Sequence, residues 1–151
     1  MIIRKAKVRK GGASPREWLH YSDDGGLTQY GAYVETLQPG ARASDRHWHE
    51  KEDEFLYVLG GEVSVIENDG ETVLHAGDAA CWPAGVENAH TVVNRSQGPC
   101  TYLIVGTRVT HDVCHYPDSG ERCHTEGEQW RVEKNGVVIR AGRCKSPPGR
   151  D

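Results

Sequence analysis

From Leu27 to Thr107 the chain breaks into short runs rich in Val, Thr, Tyr and Leu, each closed within a few residues by Gly, Pro, Asn or Asp. Runs of this length leave no room for helical periodicity and restrict the chain to many short antiparallel strands. The predicted strands are Thr28 to Leu37, Ser44 to His49, Phe55 to Leu59, Glu62 to Glu67, Glu71 to His75, Ala79 to Trp82, His90 to Asn94 and Tyr102 to Thr107. Turn residues such as Pro39-Gly40, Gly60-Gly61, Asn68-Asp69-Gly70 and Pro83-Ala84-Gly85 separate them. Strands at this spacing suit an all-β sandwich or a small barrel of the jelly-roll kind.

The two ends read differently. Residues 1–26 hold Gly11-Gly12, Ser14-Pro15 and Asp23-Asp24-Gly25-Gly26, and are expected to form an arm with one short strand near Ile2 to Val8. A barrel over 27–108 is followed by an extension over 109–145. There Gln129 to Lys134 and Val137 to Arg140 flank Asn135-Gly136, a strong hairpin signal. Residues 146–151 have nothing to bury and are expected to be disordered.

With 151 residues the chain is the size of one domain. One Phe, one Met and 36% hydrophobic residues are a lean core supply, so a homodimer that hides further apolar surface is expected. A net charge of −4 offers no basic face for a phosphate backbone, which argues against nucleic acid as a partner. Arg4, Lys5, Lys7, Arg9 and Lys10 interrupt the start of the chain, and no apolar run is long enough for a leader or a membrane span. A cytoplasmic protein is therefore expected. The five cysteines are odd in number and irregularly spaced, which favours reduced thiols over a disulfide framework.

The chemistry concentrates in His47-Trp48-His49, followed by Glu54 and later by His90. Alternate side chains of a strand share a face, so His47 and His49 can aim at one ion while Trp48 points away. Glu54 joins them if the charged stretch Glu50-Lys51-Glu52-Asp53 turns the chain. Three imidazoles and a carboxylate suit one divalent metal ion, with Zn, Fe, Ni, Mn and Cu all admissible. In a six-coordinate arrangement two positions remain open for water or substrate, the mark of a catalytic rather than a structural site.

Other candidates carry less. Cys114-His115 and Cys123-His124 have no zinc-motif spacing and read as reduced cysteines in a surface extension. Either Cys81 or Trp82 should face the interior, and the register leaves open which. Arg42, Arg46 and Arg108 are candidates to draw an anionic substrate, and His75 and Tyr57 are candidate acid/base groups without a visible partner. No nucleophile elbow, phosphate-cradling loop or dinucleotide fingerprint is present.

Gly40, His47, His49, Glu54 and Gly61 resemble the first motif of the cupin superfamily, with one extra residue between the glycine and the first histidine. Gly77, Pro83, Gly85, His90 and Asn94 resemble its second motif, with a longer gap before the histidine. The resemblance spans roughly residues 28–107. It implies a double-stranded β-helix barrel, often dimeric, in which His47, His49, Glu54 and His90 bind one divalent metal. Interior parity in such a barrel places Leu56 and Val58 with Glu54, Asp45 with His47, and Val92 and Asn94 with His90. The expected function is a mononuclear metal-dependent enzyme of the isomerase or lyase type acting on a small polar metabolite, or a dioxygenase if the metal is redox-active. Glu54 is the candidate catalytic residue. The alternative is a non-catalytic barrel that binds a sugar or other small molecule.

Overall fold

A computed structural model describes residues 1–143; the tail expected at 146–151, and Cys144, lie outside the described residues. The described residues form fourteen strands, one short 3-10 turn (Lys5–Lys7) and one helical turn, α1 (Tyr21–Asp24). Three antiparallel sheets result. The architecture is the all-β jelly-roll barrel that the sequence implies, with additional strands at both ends.

The first sheet joins β1 (Lys10–Ala13), β2 (Arg16–His20), β3 (Tyr30–Leu37), β10 (Cys100–Thr107), β5 (Glu54–Gly60) and β8 (Ala79–Trp82), in that spatial order. Along β3, β5 and β10 every second residue is buried. This period-two pattern turns Leu37, Leu56, Val58 and Tyr102 to a common core and sends Phe55 and Tyr57 to solvent. A second sheet of β7 (Gly70–His75), β6 (Glu62–Glu67) and β9 (Thr91–Val93) adds Val63, Val65 and Val92 to that core. Each fully buried Leu or Val contributes about 1.5–3 kcal/mol relative to an exposed position.

Gly61 joins β5 to β6 at φ 78°, and a Cβ there would come within 2.6 Å of the Pro99 carbonyl oxygen. Glycine is thus required at this sheet-to-sheet turn for both its conformation and its lack of bulk.

The third sheet runs β14 (Val137–Arg143), β13 (Gln129–Lys134), β12 (Glu121–Glu126), β11 (His111–Tyr116) and β4 (Trp48–His49). Asn135 and Gly136, at φ 52° and 76°, close its last hairpin, the conformation that favours this dipeptide between two strands.

Several expectations need correction. No strand forms near Ile2 to Val8; the 3-10 turn occupies that stretch, and the first 20 residues instead supply the β1–β2 hairpin that widens the first sheet. Residues 44–46 bend rather than extend, so the strand expected from Ser44 shrinks to Trp48–His49. The parity counted along that strand fails with it: Asp45 is exposed, while Ser44 approaches His47 Nδ1 at 3.3 Å. Asn94 is fully buried, but its amide donates to the carbonyls of Leu37 and Gly98 and so pins backbone.

Candidate active site

A cavity of about 670 Å³ lies between the three sheets. Its walls include His47, His49, Glu54 and His90, together with Glu35 and Arg108. The four residues singled out in the sequence therefore share one cavity.

Each reaches it by a different local device. His49 is fixed by the β4–β11 ladder, where it faces Cys114. His47 forms an isolated bridge with His90, each donating its backbone N–H to the other's carbonyl at 3.0 and 2.8 Å. Glu54 opens β5 opposite Trp82 on β8, after the irregular stretch 50–53 has turned the chain as its charge suggested.

Glu54 Oε2 lies 2.9 Å from His90 Nε2, 3.6 Å from His47 Nε2 and 4.0 Å from His49 Nε2. Donors sharing an ion with bonds of about 2.1 Å sit about 3 Å apart when adjacent and about 4.2 Å when opposite. These separations fit that range, and the donor atoms of His47, Glu54 and His90 all lie within 4.8 Å of one another.

The outer faces of the rings support the same reading. His49 Nδ1 donates to Asp112 Oδ2 at 2.6 Å, and His47 Nδ1 donates to the Asp45 carbonyl at 2.8 Å. With Nδ1 of each ring engaged on an outer acceptor, Nε2 is the ring nitrogen directed at the Glu54 carboxylate. The residues thus fit a divalent metal by donor type, and His47, Glu54 and His90 also by spacing, while His49 stands outside that close group.

His90 is held differently. Trp82 stacks on its ring, and the Trp82 indole N–H donates to Glu67 Oε1 at 2.8 Å. Trp82 is therefore the interior member of the Cys81-Trp82 pair, and Cys81 is exposed. Burial lowers the His90 pKa against the opposing pull of Glu54, favouring the neutral, metal-binding form. For His49 burial also disfavours charge, but the Asp112, Cys114 and Glu54 groups outweigh it and raise the pKa well above the ordinary imidazole value.

The extension after residue 108 is more than a surface appendage. Asp112 and Cys114 on β11 are buried, and with Tyr116 they line the cavity. Reading Cys114 as part of a surface segment is corrected accordingly. The parity signal was present in the sequence: Asp112, Cys114 and Tyr116 alternate, as do Glu121, Cys123 and Thr125, and all six face the cavity. They were missed because this cavity is polar, so its lining does not follow the apolar-inside pattern.

Among the three arginines singled out, only Arg108 lines the cavity. Its side chain is 3% exposed and bonds Asp23, the Tyr33 hydroxyl and the Leu27 carbonyl. Arg46 pairs with Asp118 and Asn68, while Arg42 bridges Val93 from an exposed position. His75 and Tyr57 are exposed and away from the cavity lining.

Residues 33–106 match the sequence model of a family described as Cupin domain. A crystal structure described as a sugar phosphate isomerase from a cupin superfamily, from Silicibacter pomeroyi, is 30% identical to this chain, with a TM-score of 0.85. It covers 89% of this chain and 93% of its own length. The chain belongs to the cupin superfamily. A second crystal structure, from Acidithiobacillus ferrooxidans, matches this cupin at a TM-score of 0.79 and 23% identity, covering 90% of this chain and 91% of that one. At 18% identity and a TM-score of 0.57, a Cupin 2 conserved barrel domain protein from Salinispora arenicola shares the fold over 72% of this chain and 90% of its own. No curated protein sequence matches this cupin. The first two similarities cover more than the 33–106 barrel, so they take in terminal strands as well.

Proposed function

We propose that this cupin is a mononuclear metal-dependent isomerase acting on a small phosphorylated polyhydroxy metabolite. The observation that carries the reading is the gathering of three imidazole Nε2 atoms within 4.0 Å of Glu54 Oε2 on the wall of the cavity. The 30%-identical relative from Silicibacter pomeroyi, described as a sugar phosphate isomerase, supports the choice of isomerisation over lyase or oxygenase chemistry.

His47, His49, His90 and Glu54 would hold one divalent ion, which supplies Lewis acidity toward a chelated carbonyl or enediol oxygen when bound. The remaining work falls to the chain. Asp112 and the Asp45 carbonyl orient two imidazoles, and Trp82 the third, so the donor set is organised before substrate arrives. Burial pushes the Tyr116 hydroxyl up, so it stays protonated beside His47 and can donate to a substrate oxygen. Glu54 is the group assigned to accept the proton that isomerisation removes from carbon. Arg9 and Arg16 also line the cavity, paired there with Asp24 and Glu35, and an anionic substituent would share these guanidinium groups with the carboxylates.

The homodimer belongs to the same proposal: the edge strand β14 exposes Val137, Val138 and Ile139, an apolar row that a second copy would cover. Among the described residues no helix is long and apolar enough to cross a membrane.

Elemental analysis of protein purified without an affinity tag, together with aldose–ketose interconversion of sugar phosphates followed by NMR, tests the reading. One equivalent of metal and turnover abolished by chelation are expected. Glu54→Gln should lower turnover by about 100-fold or more. Comparable small losses in turnover and ligand affinity would instead favour a non-catalytic binder.

A further inference from the structure

The candidate metal cluster does not end with the residues of the barrel. His47 belongs to two groups of close donor atoms: one with Glu54 and His90, the other with His49 and Cys114. In each group all donor atoms lie within 4.8 Å of one another. Cys114 is 7% exposed, sits opposite His49 in the β4–β11 ladder, and lines the same cavity. It comes from a strand outside the 33–106 barrel segment.

We propose that Cys114 supplies a sulfur donor to an ion bound by His47 and His49. The proposal rests on the metal-site reading above and extends it to a residue of the C-terminal sheet. Zinc–sulfur bonds of about 2.3 Å and zinc–nitrogen bonds of about 2.1 Å place two such donors no more than about 4.4 Å apart. The observed grouping of Cys114 with two imidazoles is compatible with that reach.

On binding, the thiol proton leaves to solvent and the thiolate sulfur donates a lone pair to the cation; no oxidant or reductant is involved. A thiolate also changes which ion the site prefers. Soft sulfur favours zinc, cobalt, nickel or copper over manganese or magnesium.

Cys123 provides an internal control. It faces Cys114 across the β11–β12 ladder and lines the same cavity, but belongs to neither group of donor atoms that includes His47.

The test loads the purified protein with cobalt(II) and records its absorption spectrum. Wild type should show a sulfur-to-cobalt charge-transfer band in the near ultraviolet beside the visible bands of the bound ion. Cys114→Ser should lose the near-ultraviolet band while keeping one equivalent of cobalt, and Cys123→Ser should keep both. Cobalt bound in wild type without that band, or a band that persists in Cys114→Ser, overturns the role of Cys114. Failure of wild type to bind cobalt overturns the metal-site reading itself. Should the serine variant not fold, X-ray absorption of the zinc-loaded wild type decides: a sulfur scatterer at about 2.3 Å supports the proposal, and a shell of nitrogen and oxygen alone refutes it.

Discussion

Trp82 lies flat against His90, with ring centroids 3.7 Å apart and planes 7° from parallel. The indole covers one face of the imidazole, and His90 Nδ1 at the ring edge has no hydrogen-bond partner among the described residues. Packing thus does for His90 what Asp112 does for His49. Trp82→Phe keeps a ring in place but removes the indole bond to Glu67. It should cost about 1 kcal/mol of stability with little change in metal affinity. Trp82→Ala opens a cavity behind His90 and should cost about 3–5 kcal/mol. Denaturant melts of the metal-free protein and chelator competition separate the two effects.

Asp112→Asn preserves shape and leaves a weaker acceptor for the His49 N–H. Metal affinity should fall about 10–100-fold, as for other outer partners of ligating histidines. Competition with a chromophoric chelator measures it. An unchanged affinity would mean that His49 is oriented by the β4–β11 ladder alone.

The network around Arg108 should mark the acid limb of stability. Burial raises the Asp23 pKa, but the Arg108 guanidinium and His20 overcome it, and the net shift is downward. A depressed folded-state pKa adds stability that is complete above the unfolded value and disappears as pH falls through the folded one. Wild type should therefore exceed Asp23→Asn in melting temperature near neutrality, with the gap closing below about pH 4. Thermal melts from pH 2 to pH 7 give the curve; a gap independent of pH would show that the carboxylate's charge plays no part.

A dimer formed through β14 should come apart when its apolar row is charged. Val138→Lys, half exposed in the monomer, should leave the fold unchanged while shifting the species seen in sedimentation to monomer. A wild type that sediments as a monomer would remove the dimer from the proposal.

How much of this was legible in the sequence follows from what each strand faces. β5 alternates in burial, Glu54, Leu56 and Val58 inward and Phe55, Tyr57 and Leu59 outward, but its letters are apolar on both faces after Glu54, so its flanking turns rather than any alternation bound it in the sequence. Glu62–Glu67 and Ala79–Trp82 are likewise bounded by their turns. β11 and β12 escaped notice because their inner faces present Asp, Cys, Tyr, Glu and Thr to a polar cavity, and the usual contrast between faces vanishes. Four candidate ligands could be named from the His-x-His spacing and the family motifs. Asp112, Cys114 and Trp82 could not, since each acquires its role only from a ladder or stack joining distant segments.

The strand carrying His49 has β11 as its sole ladder partner among the described residues. Grafting a relative's tail in place of residues 109–143 would therefore rebuild the wall that faces the histidines while leaving the barrel sequence untouched. Changes in that tail would reshape the wall facing His49 without touching the barrel strands.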